Sequence, residues 1–120
     1  MAEETATETE ITPARAAELV EAGEAELIDV RQPYEVEAGR IRGARTIEVN
    51  ELTREAESIS RERPVIFYCR SGNRSALAAA AFRQAGWDAY NLAGGLRAWV
   101  GHGLELDPVD GEVAESRPGV

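Results

Sequence analysis

The chain holds one cysteine, Cys69, where the apolar run Val65-Ile66-Phe67-Tyr68 meets the polar loop Arg70-Ser71-Gly72-Asn73-Arg74. A helical stretch opening with Ser75-Ala76-Leu77 follows at once. A strand that turns directly into a helix leaves N–H groups of the turn and first helical turn without intrahelical partners. With the helix dipole, those groups favour negative charge. Gly72 lets the loop adopt angles that converge successive N–H groups into a nest. A thiol at the mouth of such a nest ionises readily, and the thiolate is the nucleophile. Free cysteine often merely fills a core. Cys69, however, stands at the polar end of the run, beside Arg70 and five residues before Arg74, which is the setting of a reactive sulfur.

The elements that must hold this sulfur alternate between strand and helix. Ile11 starts a short edge strand. Thr12-Pro13 reads as a cap and first helical residue. Ala14 to Ala22 follows as a helix with Ala16, Leu19 and Val20 inward, ended by Gly23. Glu26 to Val30 is a strand stopped at Arg31-Gln32-Pro33. Tyr34 to Gly39 reads as a short helical turn or loop, Ile41 to Ile47 as a short strand, and Glu51 to Ser60 as a helix capped by Asn50. Val65 to Tyr68 is the central strand, covered on both faces. The helix after the loop runs to about Gln84 with Gly86 as its cap, then Trp87 to Leu92 is a strand and Leu96 to Val100 a last helical turn. This alternation implies an α/β fold: an open, mostly parallel sheet with helices on both faces. Ligands of such sheets bind beyond the carboxyl ends of the strands. Asp29, Arg31 and Cys69 all fall on that rim.

Residues 1–10 and 107–120 are acidic and lack periodicity, so both read as tails around one domain over 11–106. No apolar run is long enough to span a membrane, and the N-terminus lacks the regions of a signal peptide. A lone cysteine gives no internal disulfide and no thiolate metal cluster, and no cofactor is called for. These features point to a reduced, cytoplasmic protein. The charge is −9, from 22 acids against 13 bases, and every base is arginine. That balance argues against nucleic acid and anionic membranes as partners. High-salt adaptation and genomic base composition remain open as explanations for the acidic, lysine-free composition.

Four stretches together resemble the rhodanese family of single-domain sulfurtransferases. They are Ile28 to Glu35, Gly39 to Ala44, Tyr68 to Ser75, and Leu92 to Trp99, in order and at matching separations. The resemblance implies that Cys69 takes a sulfane sulfur from thiosulfate or another persulfide donor and passes it to cyanide or a thiol. Arg70, Ser71, Gly72, Asn73 and Arg74 would bind the substrate, with Arg74 also able to anchor the loop from behind. Asp29, Arg31 and Ser75 would brace the rim. The implied partners are a small sulfur donor and acceptor, or a protein in either role, with the chain a monomer or weak dimer. A sulfur-relay carrier module is the alternative. A phosphatase of the same fold is a minor one, because four residues separate Cys69 from Arg74, the short loop associated with sulfur. Arg40 and Arg42 depart from the His and Pro frequent in the family. His102 reads as an exposed bystander, Trp87 and Trp99 as core, and Gly94-Gly95 as a turn.

Overall fold

The computed structural model describes residues 9–115. The N-terminal tail expected over 1–10 lies outside it except for its last two residues, and Glu10 already belongs to a strand. In chain order the elements are β1 (Glu10–Ile11), α1 (Pro13–Glu21), β2 (Glu26–Asp29), α2 (Pro33–Ala38) and β3 (Arg45–Thr46). There follow α3 (Leu52–Glu55), β4 (Val65–Tyr68), α4 (Asn73–Gln84), β5 (Ala89–Leu92) and α5 (Gly95–Gly101). Thr12 caps α1 as its side-chain chemistry dictates, its hydroxyl oxygen accepting the Arg15 N–H at 3.2 Å.

The strands form one sheet in the order β1-β5-β4-β2-β3, with every pairing parallel. Alternate residues of β4 enter opposite layers. Val65 and Phe67 pack with Phe82 of α4 and with Trp87, while Ile66 and Tyr68 pack with Ala16 of α1 and with Leu96 and Trp99 of α5. Each side chain buried this way contributes about 1.5–3 kcal/mol. Both tryptophans are core residues whose indole N–H groups donate to the carbonyls of Ile59 and Glu105. The chain leaves β2 toward one edge of the sheet and β4 toward the other. Their adjacent carboxyl ends therefore bound the crevice in which open α/β sheets bind ligands.

Three segments differ from their sequence reading. The strand expected over 41–47 is reduced to Arg45–Thr46, because Gly43 takes φ +88° and Ala44 N–H turns back to the Ile41 carbonyl. The helix expected over 51–60 is broken into α3 and 3-10 turns at Val49–Glu51 and Ala56–Ser58. There the Ser58 hydroxyl takes the Glu55 carbonyl at 2.6 Å, and Ile59 N–H falls back on Ala56. The C-terminal tail expected from 107 is, as far as residue 115, a strap against α2. Asp107 and Arg40 exchange backbone hydrogen bonds, and Glu112 N–H donates to the Ala38 carbonyl at 2.7 Å. A Cβ on Gly39 would lie 2.7 Å from the Glu112 carbonyl oxygen, so glycine there permits the close approach. These anchors run largely through the backbone, which side-chain periodicity does not record.

Candidate active site

Cys69 follows β4 directly and is 1% exposed. Gly72, at φ +107°, turns the chain into α4 and donates its N–H to the Cys69 sulfur at 3.2 Å. The left-handed angle is the reason a glycine stands there. Ser75, in the first turn of α4, lies with its hydroxyl 3.3 Å from the same sulfur. Burial pushes the thiol up. The Ser75 hydroxyl, the backbone N–H groups of Ser75 and Gly72, and the charge of Arg74 more than offset it and hold the thiol below its ordinary value. The site stabilises a sulfur anion.

Ser75 also approaches Asn91 of β5, whose side-chain oxygen lies 2.5 Å from the Ser75 hydroxyl. The amide of Asn91 donates to the Gly72 carbonyl at 3.2 Å and to the Glu10 carboxylate at 3.0 Å. Those two acceptors fix the amide orientation and turn its oxygen toward Ser75. From the sheet side, Asn91 thus ties the cysteine loop to β5.

The carbonyls of Cys69 and Arg70 accept the N–H groups of Leu96 and Arg97, at 2.9 and 3.0 Å. The Gly94-Gly95 turn permits this contact. Both glycines have positive φ, and a Cβ on Gly95 would lie 2.7 Å from the Cys69 and Arg70 carbonyl oxygens.

The two loop arginines have different surroundings. Arg74 points behind the loop and grips Glu35 through both terminal nitrogens, at 2.9 and 3.0 Å. Glu35 is fully buried and also accepts the Gln32 N–H at 3.0 Å in a capping box that opens α2. Burial pushes its carboxyl up, but Arg74 and the Gln32 N–H hold it below the usual range. Arg70 points the other way and meets the Glu115 carboxylate of the strap at 3.1 Å. Ser71 and Asn73 are exposed.

Asp29 and Arg31 are fully buried beneath the rim. Arg31 donates to both Asp29 oxygens, at 2.9 and 2.7 Å, and to the carbonyls of Glu35 and Gly39 at 3.3 and 2.8 Å. Its guanidinium lies 5.6 Å from the centre of the Tyr68 ring. The pair fastens both ends of α2 to the sheet, and α2 in turn carries Glu35 to Arg74. His102 is exposed, and its ring Nδ1 lies 2.9 Å from the Ala98 carbonyl oxygen of α5. Among the described residues no group of His, Cys, Asp and Glu has the arrangement of a metal site. No helix among them is long and apolar enough to cross a membrane.

Glu35, Asn91 and Glu115 were not singled out as site residues in the sequence. Glu35 ends the Ile28 to Glu35 stretch, and Asn91 is an amide side chain between Tyr90 and Leu92. Glu115 gave no signal beyond its charge.

Residues 12–102 match the family model described as "Rhodanese-like domain". The chain is 44% identical over 78 residues to the uncharacterized protein YqhL of Bacillus subtilis, aligning with 64% of this chain and 62% of that protein. It is 36% identical over 90 residues to the thiosulfate sulfurtransferase GlpE of Pseudomonas aeruginosa, covering 74% of this chain and 81% of that enzyme. Among solved structures, a rhodanese-related protein of Thermoplasma volcanium superposes with a TM-score of 0.76 at 28% identity, over 82% of this chain and 96% of that one.

Proposed function

We propose, for a chain that belongs to the rhodanese-like domain family, that Cys69 is the sulfur-accepting nucleophile of a sulfurtransferase. The observation that carries this reading is the Cys69 sulfur itself, held between the Gly72 N–H and the Ser75 hydroxyl at the switch point of the sheet. The thiolate attacks the outer sulfur of thiosulfate. A new S–S bond forms at Cys69, the bond inside thiosulfate breaks, and sulfite leaves with its electron pair. Cyanide or a thiol then attacks the terminal sulfur of the persulfide and restores the thiolate. The chemistry consumes no external oxidant or reductant. Backbone N–H groups over Arg70 to Arg74 cradle the thiolate and the persulfide, and the Arg70 charge faces the incoming donor. Asp29, Arg31 and Ser75 hold that loop in place.

The activity named for the Pseudomonas relative supports thiosulfate as a donor. A specific observation favours the second reading, a carrier module fed by a protein. Both loop arginines are already paired with carboxylates, Arg74 with Glu35 and Arg70 with Glu115. Their pull on a free anion is correspondingly reduced. The two readings share the Cys69 persulfide, and a reduced cytoplasmic setting suits both. Steady-state kinetics separate them. Thiocyanate formation with parallel double-reciprocal lines for thiosulfate and cyanide is expected of the enzyme, whereas very slow turnover marks the carrier.

A further inference from the structure

The strap that follows α5 lies beyond the residues matched to the family, and it ends on the cysteine loop. Contacts hold it to the domain along its length. Leu106 is buried and Val113 packs against the same core cluster, the backbone of Asp107 pairs with Arg40, and Glu112 bonds to Ala38. At its end the Tyr34 hydroxyl donates to the Glu115 carbonyl at 3.2 Å. The Glu115 carboxylate then reaches Arg70 at 3.1 Å. Among the described residues the carboxylate takes one terminal nitrogen of the guanidinium, and the buried Nε of Arg70 has no acceptor. The fork is therefore half satisfied, whereas a planar pair of oxygens would fill it. Arg74 offers no second seat, because both its terminal nitrogens face Glu35.

We propose that Glu115 is a specificity-determining residue: its carboxylate occupies the Arg70 seat that a free anionic sulfur donor needs, and so disfavours such donors against uncharged ones. This rests on the reading of Cys69 as the nucleophile. A dianion approaching the loop must displace the carboxylate and also meets its negative charge. Exposed ion pairs of this kind are worth about two- to fivefold in an equilibrium, and salt screens them.

The test compares alkylation of Cys69 by iodoacetate and by iodoacetamide, which share a reaction but differ in charge. In Glu115→Gln the ratio of the two rates is expected to rise about two- to fivefold in dilute buffer. The rise should vanish near ~1 M salt, where the screening length is about 3 Å. The same variant should lower the thiosulfate KM by a similar factor with kcat unchanged. In an Arg70→Ala background, Glu115→Gln should raise the ratio by less, because only the charge of the carboxylate, and no longer its hold on Arg70, is then removed. An unchanged ratio in Glu115→Gln overturns the proposal. So does an equal acceleration by both reagents, which would make the strap a steric cover only. Alkylation needs no sulfur transfer, so a protein that takes sulfur from neither thiosulfate nor a protein persulfide donor but shows the altered ratio would refute the sulfurtransferase reading and leave Glu115 in its role.

Discussion

Glu35 holds Arg74 through both terminal nitrogens from a site closed to solvent, so the loop after Cys69 is fastened to α2 by a bidentate ion pair whose carboxylate is buried and whose arginine side chain is 31% exposed. The pairing gives the arginine five residues after the cysteine a structural role in the loop. It sets the position of the first turn of α4, which carries Ser75, and its charge helps hold the thiol down.

Removing one partner leaves the other charge buried and alone. Arg74→Ala should cost about 3 kcal/mol, lowering Tm by roughly 10–15 °C, and slow Cys69 chemistry as the loop loosens. Thermal melts beside alkylation rates check this. A wild-type Tm in Arg74→Ala would show that the pair adds nothing. Because the Glu35 carboxyl is held below its ordinary value, its stabilisation is complete above the ordinary glutamate range and is lost as pH falls through the lower folded value. Glu35→Gln should make the acid limb of the stability curve shallower.

Ser75 has one hydroxyl proton and two acceptors within reach, the Asn91 oxygen and the Cys69 sulfur. On ionisation the sulfur is the stronger claimant, since a hydrogen bond to a charged group is worth about 1.5–3 kcal/mol. Ser75→Ala should therefore raise the thiol pKa and slow alkylation by iodoacetamide roughly tenfold at neutral pH, the lower end of that range. The rate should rise with pH through the Cys69 titration, and in the variant that rise should move to higher pH. An unmoved pH–rate profile would exclude the hydroxyl from stabilising the thiolate.

Gly95 sits at φ +63°, against the carbonyls of Cys69 and Arg70. Gly95→Ala imposes a left-handed angle on a residue with a Cβ, about 1–2 kcal/mol, and adds a clash with backbone. A loss of at least about 2 kcal/mol is expected, with Cys69 chemistry falling further than at Gly23→Ala, where φ is also positive but the space is open. Equal effects at the two glycines would show that the contact with the loop is unimportant.

What could be read in the sequence was whatever local pattern records. The apolar run of β4, the Thr12-Pro13 start of α1 and the strand-loop-helix turn at Gly72 each carry their own chemistry in consecutive residues. The sheet and its rim followed from their alternation. What could not be read depends on residues far apart in the chain. Glu35 and Arg74 are 39 positions apart, Arg70 and Glu115 are 45 apart, and Asn91 reaches both Glu10 and the cysteine loop. The Gly94-Gly95 turn was legible as a turn. Its service to the cysteine loop was not, because that depends on how closely α5 approaches β4. The strap was hidden for a different reason: much of its anchorage is backbone to backbone.

The central claim is that Cys69 carries the transferred sulfur, and intact mass tests it most directly. As the only thiol in the chain, Cys69 offers one address for an added sulfur atom. Incubation with thiosulfate should add one sulfur, and cyanide should remove it as thiocyanate. Cys69→Ser, with an unchanged melting curve, should gain none. A sulfur retained by Cys69→Ser, or a wild-type protein that gains none from either thiosulfate or a protein persulfide donor, would contradict the claim.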